Sequence, residues 1–371
     1  MENAFFITPV KFKLKYQFSI SFYLHIIKLR IIFETKIVPM YRSVLLNFIF
    51  LLLICGENNA QVIQELNFGG DISLRGLSVV NDNTVWVSGS KGQVGKTLDG
   101  GKTWKWITVK GYEKCDFRDI EAFSKNVAII MAVAEPAFIL KTTNAGKSWK
   151  KVYENSSKGM FLDAMDFSDE KNGYVIGDPV NGRFFIAKSN DGGETWQECN
   201  RAYFPLPDST EACFASSGTN IRIINKDRFV YVTGGVYSNI VIGKQKINLP
   251  LLQGKESTGA NSIAVKDSNT FIVVGGDFSN VKAMPNCAIT SDGGKTWTLP
   301  QTPPSGYKSC VEYISGETWI CCGLTGIDIS ADNGNNWKQI SNVSYHSCRK
   351  AKNGKRIFLT GNNSRIGVLV R

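Results

Sequence analysis

A nine-residue phrase, Lys96-Thr97-Leu98-Asp99-Gly100-Gly101-Lys102-Thr103-Trp104, comes back four more times along this 371-residue chain. The returns begin at Lys141, Lys188, Ile289 and Ile329 and end at Trp149, Trp196, Trp297 and Trp337. Their key positions, Asp99, Asn144, Asp191, Asp292 and Asp332, are 45, 47, 101 and 40 residues apart. The long step holds two ordinary ones with a degenerate copy between. A period of about 45 residues specifies an array of supersecondary units, each of which needs its neighbours to bury its faces.

The phrase has the chemistry of a turn between two strands. An Asp or Asn accepts hydrogen bonds from nearby backbone N–H groups. The glycines take backbone angles that a Cβ penalises. The closing Trp starts the next strand and buries its ring. Asp99, Trp104, Asn144, Trp149, Asp191, Trp196, Asp292, Trp297, Asp332 and Trp337 are therefore read as structural.

A second frame survives where the phrase is lost. It begins at Leu74, Phe117, Phe161, Glu211, Ala260, Tyr307 and Tyr345, with steps of 38 to 50 residues. Each copy is expected to open the innermost strand of a unit. A β-rich second strand follows, from Val85-Trp86-Val87 to Ile357-Phe358-Leu359. The last unit ends at its third strand, Ile366 to Val370. Val62 to Phe68 is a spare strand-like stretch that can supply the fourth and so remove an open edge. Helical periodicity of useful length is absent. The repeated phrases resemble the Asp boxes of bacterial-neuraminidase-type (BNR) β-propellers. The expected fold is all-β: a seven-bladed propeller of four-stranded antiparallel blades, WD40/YVTN-like in outline, closed by the N-terminal strand.

Ahead of residues 61–371 the chain changes character. Met40-Tyr41-Arg42 precedes an apolar run, Val44 to Cys55, too short to span a bilayer comfortably. Polar residues follow to Ala60, so residues 40–60 read as a signal peptide and the product as secreted or periplasmic. Cys55 is an alternative lipid-anchor site, although Ile54 is a poor match before it. Residues 1–39 read as an upstream extension placed before the true start.

The formal charge is +11, from 43 Lys and Arg against 32 Asp and Glu. Removing the seven basic and three acidic residues of 1–60 leaves 36 against 29, or +7. That excess is scattered, with no basic helix or aromatic platform, which argues against nucleic acid as a partner. Eight cysteines remain after Ala60. Most lie inside strand patterns, where cysteine acts as a small apolar residue, and buried thiols are expected. There is no C-x-x-C, and His25 and His346 are the only histidines. Neither a metal site nor a cofactor is expected.

Function in such a ring is expected where the inner strands begin. The frame places Arg75, Arg118, Asp119, Asp163, Glu211, Thr258, Tyr307, Lys308 and His346 there, with Asp178 and Asp277 at the ends of second strands. Varied polar residues converging on one opening suggest a ligand or partner surface. Two other motifs carry no weight. Gly275-Gly276-Asp277-Phe278 spells a cyclase signature, but it lies at a strand end. No Gly-rich loop opens a helix, so a dinucleotide site has no support.

Asp-box propellers include sialidases, which need an arginine triad, a Tyr/Glu nucleophile pair and an acid. Here Arg75 and Arg118 have only Lys308 as a third cation, and Leu74-Arg75-Gly76-Leu77 lacks the proline of the sialidase start motif. Asp163, Glu211 and Tyr307 are the alternative catalytic set. Residues 61–371 more closely resemble bacterial propellers related to the photosystem II stability/assembly factor. Phe167 to Pro179 resembles the F-x-D-x-x-x-G-x-x-x-G-D-P stretch of the non-photosynthetic members, as do Glu211 to Thr219 and Ser257-Thr258-Gly259. The resemblance implies an exported scaffold that binds other proteins, with no established catalytic residues. The chain is accordingly expected to be a non-catalytic monomer whose partner is an envelope or extracellular protein, or a glycan. The alternative is a sialidase-like glycoside hydrolase.

Overall fold

The middle strands of the sheets bury both of their surfaces, whereas outer strands such as Lys105–Thr108 and Lys150–Asn155 do not. Val85–Gly89, Ala128–Ala132 and Gly326–Ser330 are buried at every position. Such near-continuous apolar runs belong to strands covered by a neighbouring sheet on each side. The computed structural model describes residues 62–67, 69–225 and 228–370, together with Leu24, His25 and Lys28. The readings for 1–39 and 40–60, Cys55 included, lie outside the described residues, as does Phe68.

Seven inner strands follow one another around a closed ring: Leu74–Val79, Phe117–Ala122, Leu162–Phe167, Ile221–Asn225, Thr258–Val265, Cys310–Ser315 and Ser347–Lys350. Each touches the next, and the last touches the first. We call the sheets they begin sheets one to seven. Sheets one, two, three and six run outward through four consecutive antiparallel strands. Sheets four and five join through Gly234 paired with Gly259, giving one eight-stranded sheet. In sheet five the fourth-strand position is a single bridge, Ile289 to Thr298.

Sheet seven closes as the sequence suggests. Val62–Asn67 pairs antiparallel with Ile366–Val370, from Val62 opposite Val370 to Asn67 opposite Ile366. The ladder satisfies an edge that Ile366–Val370 otherwise leaves open.

Apolar side chains fill seven cores, one between each pair of neighbouring sheets. Trp86, Val94, Ile120 and Leu140 pack between sheets one and two. Leu77, Val87, Phe358 and Val368 pack between seven and one. Trp149 and Trp196 lie against the core on the side of the preceding sheet. Trp149 meets Trp86 edge-on at 6.5 Å between centroids, and Trp196 meets Phe167 at 5.8 Å.

The boxes are turns from third to fourth strands. In the first, the Thr97 hydroxyl donates to Asp99 Oδ1 (2.7 Å) and accepts from the Gly101 N–H (3.0 Å). Asp99 then accepts from the Thr103 N–H (2.9 Å) and hydroxyl (2.6 Å). The pattern returns at Asp191, Asp292 and, with Asn336 in place of the threonine, Asp332. At Asn144 the amide reverses one bond and donates to Ser148. Sheet four, which lacks a box, turns instead at Gly243 and Lys244, between Asn239–Ile242 and Gln245–Asn248.

Candidate functional site

In an antiparallel four-stranded unit, the start of the first strand and the turn from second to third strand lie at one end. The box turns lie at the other end. The frame residues therefore gather at the box-free end, around the ring axis.

A backbone irregularity puts them there. The inner ladders slip between Leu74 and Gly76, Phe117 and Asp119, Leu162 and Ala164, and Ala260 and Ser262. Each slip leaves one residue outside the pairing: Arg75, Arg118, Asp163 and Asn261. A bulge redirects a side chain in this way.

Sheet four departs from the expected pattern. Glu211 to Phe214 does not open a full inner strand. Only Glu211–Ala212 pairs, with Gly235 and Gly234, and the chain then leaves the sheet until Ile221. The intervening segment, 213–220, enters the axis and reaches all six other sheets. The Cys213 N–H donates to Asp178 Oδ1 of sheet three (2.8 Å). Ser216 O accepts from Arg75 of sheet one (3.0 Å). Ser217 donates to Ser309 O of sheet six (2.7 Å), and its own carbonyl accepts from Arg349 of sheet seven (2.8 Å). Thr219 donates to Ser262 of sheet five (2.7 Å). Gly218, at φ +66°, lies so close to the Asp119 carboxylate of sheet two that an added Cβ would sit 2.3 Å from it.

Most of the expected site residues are buried, Asp119 against the plug and the others mainly against their own and neighbouring sheets. Asp119 accepts from the Met165 and Ile120 N–H groups (2.8 Å each), while burial pushes its carboxyl up to about 7. Glu211 accepts from Thr233, from Asn239 (3.0 Å), from the Asp208 N–H (2.7 Å) and from Lys246 (3.3 Å). Thr258 donates to Gly235 O and Lys255 O. The Tyr307 hydroxyl donates to Asn261 Oδ1 (2.8 Å), and burial raises its pKa. Lys308 is fully enclosed; its ammonium lies 2.6 Å from Asp328 and donates to Ser305, Thr325 and Gly326 O. His346 Nε2 faces Asn362 Oδ1 at 2.9 Å, and burial, then the Arg75 charge, lowers its pKa to about 4.

Arg75 and Arg118 are only partly covered. Arg118 keeps 30% of its side chain exposed, donates to Asp116 (2.7 Å) and lies over the Phe161 ring (5.8 Å). Burial, then Arg118, lowers the Arg75 pKa.

Asp163 is fully buried, and neither of its oxygens has a hydrogen-bond partner. Its close carboxylate neighbour is Asp178. Burial, then Asp178, pushes the Asp163 pKa well above the carboxylate range, and burial carries Asp178 up to about 6. The Asp163–Glu211 pair that sugar hydrolysis would call on is thus matched by a different pairing, with Glu211 engaged by four donors of its own sheet.

Arg349 and residues 215–220 lie outside the sequence frame, whereas Asn261, Cys213 and Phe214 stand in it but are not read there as site residues. The one signal for the plug was the Ser216-Ser217-Gly218-Thr219 stretch, unusually small and polar for a strand. Asp277, the other second-strand end, accepts from the Ser279 N–H and hydroxyl and so caps its own turn. No described cysteine forms a disulfide. Cys213, Cys287, Cys310, Cys321, Cys322 and Cys348 are buried, and Cys115 and Cys199 are partly covered.

The box-free end also carries apolar surface. Tyr237, Phe278, Met284 and Leu324, all in turns from second to third strands, are 40% to 46% exposed. Phe278 leans edge-on against Phe214 of the plug and against Tyr307.

Comparison with known proteins agrees with this architecture. The family model described as Photosynthesis system II assembly factor YCF48 matches residues 58–158. No curated protein matches the sequence. A solved structure of YCF48 bound to D1 peptide is 14% identical, covering 85% of this chain and 96% of its own, with a TM-score of 0.60. YCF48 from Cyanidioschyzon merolae is 15% identical, covering 83% and 98%, with a TM-score of 0.58. The WD40 β-propeller domain of Doa1 is 13% identical, covering 84% and 96%, with a TM-score of 0.56. At these identities the structural likenesses establish the fold. The chain is a β-propeller that resembles the BNR-type photosystem II assembly factor YCF48.

Proposed function

We propose that this protein is an exported, non-catalytic scaffold that binds a segment of another protein on the box-free end of its ring. The observation that carries the reading is the pairing of exposed apolar turns, Tyr237, Phe278, Met284 and Leu324, with the partly free cations Arg75 and Arg118 at that same end. Aromatic, Met and Arg side chains are the types enriched in recognition surfaces. The peptide complex of YCF48 supports a peptide-like occupant for a ring of this shape. The leader reading of residues 40–60 supports an envelope or extracellular partner, with Cys55 the point of any lipid anchor. A glycan is the second class of ligand for the same surface.

The glycoside hydrolase reading has less support. Glu211 and Tyr307 already spend their polar atoms on internal partners, and Lys308 is consumed by Asp328. Acid and base catalysis needs carboxyl groups that can reach substrate.

The test is quantitative capture of envelope proteins by the tagged chain. Arg118→Gln, and separately a Tyr237→Ser/Met284→Ser/Leu324→Ser variant, should reduce capture of the same partner at least about tenfold, equivalent to ~1.4 kcal/mol, with each variant still folded by circular dichroism. Equal capture by both variants, or glycoside turnover abolished by Asp163→Asn and Glu211→Gln, would overturn the reading.

A further inference from the structure

Among the described residues Asp163 is an unusual polar group, because a buried carboxylate is normally surrounded by donors. Asp163 is fully buried and neither oxygen accepts a close hydrogen bond, with the Asp178 and Ala215 N–H groups only near enough to act on its charge. Its position follows from two facing irregularities in sheet three. The inner strand slips between Leu162 and Ala164, and the neighbouring strand slips between Gly177 and Pro179. Asp163 and Asp178 are the residues so displaced. Pro179 has no N–H to give. The plug then brings a third donor, because the bond from the Cys213 N–H to Asp178 fixes the start of segment 213–220 beside them.

We infer that Asp163, Asp178 and Cys213 form a binding site for a divalent zinc-type cation. One oxygen of each carboxylate and the Cys213 sulfur all lie within 4.8 Å of one another. Two carboxylate oxygens and one sulfur are a borderline-soft set that suits zinc and leaves a fourth position for a further ligand. Calcium and magnesium prefer all-oxygen shells. Two carboxylates and a thiolate carry −3 against +2 for the cation, and the charge of Arg118, which is also paired with Asp116, acts on Asp163. The cation would supply Asp163 with a close partner beyond the nearby Asp178 and Ala215 N–H groups and the Arg118 charge.

The site fits a structural device for the axis. It ties sheet three to the root of the plug, and the plug touches every other sheet. Its three donors come from two strands of sheet three and from the plug, which is why no spacing motif announces it. A second sulfur cluster, Cys310, Cys322 and Cys348, lies between sheets six and seven. There Arg349 donates to Cys310 (3.1 Å), so that cluster already has an internal cation.

The test is titration of the purified, chelator-stripped full chain with Co²⁺, read by the near-ultraviolet sulfur-to-cobalt charge-transfer band. The site predicts one equivalent bound, displacement by Zn²⁺, and a Zn²⁺-dependent rise in melting temperature. Cys213→Ala, which keeps a small buried apolar group, should abolish the band. Asp163→Asn should weaken binding at least about tenfold. Cys310→Ser should leave the band intact. Circular dichroism of each metal-free variant establishes that it is folded, and a Cys213→Ala chain that fails to fold leaves Asp163→Asn and Cys310→Ser to decide. No stoichiometric Co²⁺ binding by the folded wild type would overturn the inference. So would a band that survives Cys213→Ala or disappears in Cys310→Ser.

Discussion

Single residues in this ring separate into those that hold the fold and those left free to meet something else. Lys308 shows how burial decides. Its ammonium is fully enclosed beside Asp328, itself 2% exposed, and every donor it has is used. Lys308→Met would strand a buried carboxylate, and breaking such a pair costs about 3–5 kcal/mol. Urea unfolding should register that loss, whereas a partner-binding role alone would leave stability unchanged. The box acids act more gently because they are exposed. Burial works against the Asp191 carboxylate, but the hydroxyl and N–H of Thr195 and the hydroxyl of Ser189 win and hold its pKa at about 2. Water replaces part of what is lost in Asp191→Ala, so the expected cost at pH 7 is about 1 kcal/mol. The folded pKa lies below the unfolded value near 3.9, so the advantage over Asp191→Ala is full above about pH 4. It should fade as pH falls toward 2. A difference between the two proteins that grows on acidification would contradict this assignment. The residue types at the box-free end were legible in the sequence because the frame repeats. Their burial was not, since it depends on partners in loops and neighbouring sheets, and for Asp119 on the plug, that the frame does not specify.

Elements tell the same story at larger scale. The strands and their order were readable from seven recurring frames, and so was closure by Val62–Asn67, because an unpaired third strand at the C-terminus demands a partner. The plug was not readable. Glu211 to Phe214 matches the frame at its first residues, and periodicity gives no reason for the chain to leave the sheet at Cys213. What drives it inward is hydrogen bonding, with Ser216, Ser217 and Thr219 meeting groups from several sheets that a regular strand could not reach. Gly218→Ala tests this packing. A Cβ there would lie 2.3 Å from the Asp119 carboxylate, at a positive φ, and overpacking of this kind costs about 1–3 kcal/mol. A melting temperature equal to wild type would show that the plug is loosely held. Removal of residues 62–67 tests closure separately. It should expose the edge of Ile366–Val370 and produce aggregation or a marked loss of stability. An unchanged melting curve with monomeric elution would contradict that role.

For the whole molecule, the two ends of the ring differ in what they offer a partner. The box end is built from turns whose Asp or Asn side chains are already paired with neighbouring hydroxyl and N–H groups, with Leu98 exposed among them. The box-free end combines a sealed axis with exposed apolar turns and two partly free arginines. A ring closed at its axis by its own chain has little room there for a substrate, but it presents a firm platform. The most direct measurement is a hydrogen-exchange footprint of the protein bound to its captured partner, compared with the protein alone. The account predicts protection concentrated in the second-to-third-strand turns around Tyr237, Phe278, Met284 and Leu324 and near Arg118. Protection confined to the Asp-box turns at the opposite end would contradict it.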